Sequence, residues 1–125
     1  MSKPILCLDF DGVIHSYTSL WKSADIIPDP PVPGAFDFIA EAVGHFRVVI
    51  FSSRSHQPGG IEAMKDWLCA NTEIGFRDKP RWIDQIEWPT EKPSAMLTLD
   101  DRAITFIGQW PSIESLLAFK PWNKR

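Results

Sequence analysis

The sequence predicts a single α/β domain built on a mainly parallel five-stranded sheet. Three observations carry this. Five short apolar runs, bounded by Pro, Gly or charged residues, read as strands. Amphipathic stretches with helical spacing alternate with the first of them, the pattern of an α/β layer fold. The chain has 125 residues, enough for one domain with its own core.

The first run, Ile5-Leu6-Cys7-Leu8, lies between Pro4 and Asp9-Phe10-Asp11-Gly12 and reads as a fully buried strand. Residues 13–33 carry Pro28, Pro30, Pro31 and Pro33, through which no helix can run, and a loop of this length in a compact domain has a task or hides a hairpin. After Pro33-Gly34, the residues Phe36, Ile39, Val43 and Phe46 fall at helical spacing, with Asp37 and Glu41 on the other side and Gly44 as the stop. Arg47-Val48-Val49-Ile50-Phe51 is the second buried strand, ending abruptly in Ser52-Ser53-Arg54-Ser55. Pro58-Gly59-Gly60 opens a second amphipathic helix with Ile61, Met64, Trp67 and Leu68 on one face. Residues 82–88 alternate loosely and predict an edge strand stopped by Pro89. Ala95–Leu99 is a fourth strand, ending in Asp100-Asp101-Arg102, and Ala103–Ile107 a fifth. A closing helix runs from Pro111 to Phe119 with Ile113, Leu116 and Leu117 on one face.

Hydrophobic residues make up 44% and charged residues 23% of the chain, a composition that excludes a wholly disordered protein. No apolar run approaches the roughly 20 residues of a membrane span, and the run after Lys3 is too short for a signal-peptide core, so no membrane partner and a cytoplasmic location are expected. Cys7 and Cys69 sit inside apolar patterns and predict buried, reduced thiols. A net charge of −3 without a basic stripe weighs against non-specific nucleic-acid binding. Six Trp and eleven Pro imply rigid loops and tryptophans packed on loops or partners.

Three strand ends carry the chemistry: Asp9 and Asp11, then Ser52 and Ser53, then Asp100 and Asp101. Ligands of open parallel sheets bind outside the carboxyl ends of the strands, so parallel neighbours would gather these groups in one crevice. Clustered carboxylates repel one another unless a cation neutralises them, and an all-oxygen set suits Mg²⁺ together with a substrate phosphate. A Ser52 hydroxyl and the Lys92 ammonium, eight residues before Asp100, complete a phosphate site of the kind used for phosphoryl transfer.

Asp9-Phe10-Asp11-Gly12-Val13 resembles the first motif of the haloacid dehalogenase (HAD) superfamily of phosphohydrolases. Val48–Ser52 resembles its second motif, Lys92 its third-motif lysine and Met96–Asp101 its fourth, so the likeness spans roughly residues 4–119. The resemblance implies a Rossmann-like three-layer sandwich over residues 1–125. With no cap domain, residues 13–33 would form a short β-hairpin flap. It implies a Mg²⁺-dependent phosphatase that hydrolyses a phosphomonoester through a phospho-aspartate. Asp9 is then the nucleophile and Asp11 the general acid and base. Ser52 binds the transferring phosphoryl oxygen and Lys92 offsets its charge. The cation is held by the Asp9 carboxylate, the Asp11 backbone carbonyl and Asp100, with Asp101 as ligand or orienter.

Lys79-Pro80 fits the third motif as loosely as Lys92-Pro93. Lys92 is preferred because its short link to Asp100 forces it close to the fourth strand end. Ser53 and Arg54 are candidate substrate contacts, against a turn cap and a structural ion pair respectively. His15 and His56 lie in loops near the expected mouth without an assigned role. Tyr17 and Trp21 suit either a lid wall or the flap's own packing. Trp110, Trp122 and the tail of Lys120, Lys124 and Arg125 suit an interface or solubility alone. Two other functions fit parts of the pattern: a nucleotide or nucleic-acid end phosphatase with an open site, and a non-catalytic phospho-binding, receiver-like module. In receivers the paired acids follow the first strand, whereas here they follow a late one. Neither the phosphorylated substrate nor the oligomeric state is written in the sequence, although a homodimer suits a Trp-rich chain without a cap.

Overall fold

The structure, a computed structural model, describes residues 3–72 and 79–124; Arg125 of the basic tail lies outside the described residues. Strands β1 (Ile5–Leu8), β2 (Arg47–Ile50) and β3 (Leu97–Leu99) form an all-parallel sheet in the order β2-β1-β3. Helices α1 (Ala35–Ala42) and α2 (Gly60–Asn71) follow β1 and β2, and the shorter α3 (Arg81–Asp84) and α4 (Ile113–Leu117) flank β3 in sequence. A 3₁₀ turn at Trp122–Lys124 ends the described chain.

The α/β class holds, but the expected five-stranded Rossmann-like sandwich does not: the described sheet has three strands. Residues 82–88 fold as α3 and its exit, not as an edge strand. Ile83 and Ile86 are buried three residues apart, a helical spacing that the looser alternation obscured. Ile86 packs into the core, but only Glu87 of this stretch hydrogen-bonds to the sheet backbone, its N–H donating to the Val48 carbonyl at 3.0 Å and its carbonyl accepting from Ile50. Ala103–Ile107 has the composition of a strand but no ladder, because composition supplies a strand's side chains and not its partner. The closing helix is confined to Ile113–Leu117, where Ser112 caps it through Ser115 N–H at 3.1 Å. The 13–33 segment makes isolated antiparallel bridges, His15 with Pro31 and Ser23 with Ile26, in place of regular hairpin strands.

β1 is central, so both of its faces need cover, and Leu6, Cys7 and Leu8 are all buried. The core joins Leu6 and Leu8 to Val48 and Ile50 of β2, Ile39 of α1, and Met64 and Leu68 of α2. Full burial of each such side chain contributes about 1.5–3 kcal/mol. Trp67 closes this core over Phe10 and Phe36, with ring centroids 5.2 and 5.9 Å away, and its Nε1 donates to the Asp29 carbonyl at 3.0 Å. That bond ties the proline-rich loop to α2. Gly60 starts α2 so close to the Arg54 carbonyl that a Cβ would overlap it, which fixes the turn after β2 beneath the helix. Cys7 and Cys69 are both buried free thiols, and burial pushes the Cys7 thiol up. Among the described residues no helix is long and apolar enough to cross a membrane.

Candidate active site

The chain leaves β1 for β2 on one side and later reaches β3 on the other, so the switch in strand order lies at β1. Because every strand is parallel, all three carboxyl ends face the same way. Leu8 pairs with Leu99, which makes Asp9 and Asp100 the next residues off neighbouring strands, and Asp9 N–H donates to the Leu99 carbonyl at 3.0 Å. One carboxylate oxygen from each of Asp9, Asp100 and Asp101 lies within 4.8 Å of the other two. Burial first, then the charge of Asp100, pushes the Asp9 carboxyl up to about 8. The Phe10 N–H, which donates to its Oδ1 at 2.8 Å, works the other way. Asp100 is exposed, and its Oδ1 accepts Arg102 N–H at 2.8 Å, which shapes the turn. The Asp101 side chain is 4% exposed and lies against Gly12. Gly12 has φ +83°, and a Cβ there would overlap the Asp101 carboxylate.

Asp11 turns to a second set of partners. Arg54 Nε donates to both of its carboxylate oxygens, at 3.2 and 3.0 Å, and Arg54 Nη2 to Oδ1 at 3.1 Å. His15 Nδ1 lies 2.8 Å from the same Oδ1. The Asp29 N–H donates to His15 Nε2 at 3.1 Å, so in the neutral ring the proton sits on Nδ1 and points at Asp11. Arg54 Nη1 donates to the carbonyls of Ser23, Ala24 and Ile26. The whole guanidinium is therefore committed to Asp11 and the 13–33 loop, with Trp21 stacked 4.7 Å from it. This is the structural ion pair that stood against a substrate contact for Arg54.

Ser52 is buried. Its Oγ accepts Arg54 N–H at 3.0 Å and lies 3.7 Å from Met64 Sδ, so the hydroxyl caps its own turn and makes no hydrogen bond to the acids. Ser53 is exposed, and its carbonyl accepts from Gln57 Nε2 at 2.8 Å. Of the two lysines, Lys79 pairs with Asp84 at 2.9 Å, away from the acids. Beside the acids, Gly12, Val13, Val32, Leu99 and Trp122 line a cleft of about 260 Å³. Trp122 Nε1 donates to the Gly12 carbonyl at 2.8 Å, and Asn123 Nδ2 to that of Ser16 at 3.2 Å, so the C-terminal turn forms one wall.

The structure thus brings together Asp9, Asp100 and Asp101, and joins Asp11 to Arg54 instead. His15 and Asp29 shape the site without any role assigned from the residues alone, and Trp122, read as an interface or solubility residue, instead donates to the Gly12 carbonyl at its rim. The four-residue step from Asp11 to His15 was the available signal for the first. No protein family, curated protein or solved structure compared with this chain matches it.

Proposed function

We propose that the protein is a HAD-type phosphatase that hydrolyses phosphomonoesters with Mg²⁺. The observation that carries this reading is the three-carboxylate cluster at the strand switch point, in which Asp9 is driven up to about 8. A half-buried carboxyl among other carboxylates is uncomfortable alone and suited to a hard dication, and a three-oxygen donor set fits Mg²⁺, which keeps waters in its remaining positions. Asp9, Asp100 and Asp101 would hold it, with the backbone carbonyl of Asp11. The bound cation supplies charge neutralisation at the acids and at a phosphoryl group.

An Asp9 oxygen attacks phosphorus as the phosphorus–oxygen bond to the alcohol breaks, and the alcohol oxygen takes a proton from Asp11. Water then attacks the aspartyl-phosphate, gives its proton to Asp11, and the bond to Asp9 breaks. Arg54 and His15 both donate to Asp11 and so favour its carboxylate, the form that takes the proton from water; to act as the acid in the first step Asp11 must take up a proton against those donors. The test is a panel of phosphomonoesters with and without Mg²⁺. Turnover that EDTA silences and Mg²⁺ restores is expected; no hydrolysis of any member in Mg²⁺ counts against the reading.

A second reading, a phospho-accepting module without turnover, draws on the engagement of Asp11 by Arg54 and of the Ser52 hydroxyl by its own turn. Acetyl phosphate would then label Asp9 stably, with no release of phosphate.

A further inference from the structure

Of the fifteen large apolar side chains exposed among the described residues, ten lie between Met96 and Leu117. Trp110 is 86% exposed, Leu117 83% and Ile107 79%. At ordinary side-chain areas the ten together present on the order of 1,000 Å² of exposed surface, comparable to the ~800 Å² each partner buries in a stable dimer.

Two backbone features accompany this surface. β3 ends the sheet, with β1 on its inner side and no bonded strand on its outer edge among the described residues. Ala103–Ile107, rich in β-branched and aromatic side chains, has no backbone hydrogen bond and no ladder with β3 among the described residues. An unpaired edge and an unpaired strand-like segment each offer a row of backbone donors and acceptors to a partner, and they are complementary.

We infer that two copies of this chain form a two-fold dimer in which residues 103–107 of each add a strand to the outer edge of the other's β3. Trp110 and the apolar side of α4 are covered in the same interface. A second copy fits better than a foreign partner because each chain carries one vacant edge and one vacant strand. Reciprocal exchange therefore fills both pairs and closes without further growth. The inference does not depend on the phosphatase reading.

Sedimentation of the unaltered chain over a wide concentration range tests it, together with hydrogen exchange of the amides of 103–107. A mass of two chains is expected, with protection of those amides that falls on dilution as dimer gives way to monomer. Ile107→Asp and Trp110→Asp should shift the mass to one chain, while Phe38→Asp, at an exposed site on α1, should leave it at two. A single-chain mass at every concentration overturns the inference. So does protection of 103–107 that dilution does not change, since the segment would then pair within its own chain. A dimer indifferent to both Asp substitutions overturns it as well.

Discussion

Arg54 and Asp11 form a buried ion pair, with Nε 3.0 Å from Oδ2, between a side chain of no exposure and one that is 13% exposed. The pair joins the turn after β2 to the turn after β1, and the other arm of Arg54 anchors the proline-rich loop through three carbonyls. Removing one partner of such a pair leaves the other charge uncompensated. Arg54→Met should lower stability by about 3–5 kcal/mol, read by chemical denaturation. Arg54→Lys keeps the charge but loses the fork, and should fall between the two. A Met variant as stable as the parent would show that the pair contributes nothing net.

Gly12 matters for its missing side chain and for its backbone. Gly12→Ala meets the Asp101 carboxylate and adopts φ +83°, a conformation L-residues rarely take. The expected outcome is a loss of about 1–3 kcal/mol together with a weaker response to Mg²⁺, because Asp101 must move. Calorimetric titration with Mg²⁺ of the parent and the variant checks this. Unchanged affinity would remove Asp101 from the cation site.

How far the sequence could be read follows from what each feature depends on. β1 and β2 were legible because a run such as Val48-Val49-Ile50 is buried on both faces wherever it pairs, and its abrupt polar end marks the carboxyl edge. The cluster of Asp9, Asp100 and Asp101 followed from that rule and parallel pairing alone. Ala103–Ile107 carries strand composition yet forms no ladder within the chain, because pairing depends on where the segment is placed against an edge, which no local pattern displays. Ser52 was legible as a strand end but not in its direction, since the choice between a phosphate and Arg54 N–H is made by the tight turn beneath Gly60. The commitment of Arg54 to Asp11 spans 43 positions, beyond any spacing rule.

Asp9→Asn separates chemistry from folding. The amide cannot form the aspartyl-phosphate, so turnover should drop at least ~10³-fold, while the fold is kept. Stability of the metal-free protein near neutral pH should hold or rise, since the substitution removes a carboxyl whose ionisation is penalised in the folded state. Phosphate release and thermal unfolding on the same samples decide it. Full activity in the variant means that Asp9 is not the nucleophile.

The raised Asp9 carboxyl also sets a pH dependence whose sign can be worked out. Its value is about 8 folded, against roughly 4 in an unfolded chain. Between those limits the folded state holds more protons than the unfolded one, so stability from this group is lost as pH rises through the window. A bound cation releases that proton and reverses the penalty. The metal-free protein should therefore melt at a lower temperature near pH 8 than near pH 5.5, with Mg²⁺ recovering more at the higher pH. In Asp9→Asn both differences should shrink. Melting curves at the two pH values, with Mg²⁺ or with EDTA, provide the measurement. A Mg²⁺ effect equal at both, or one that persists undiminished in Asp9→Asn, would place any bound cation away from Asp9.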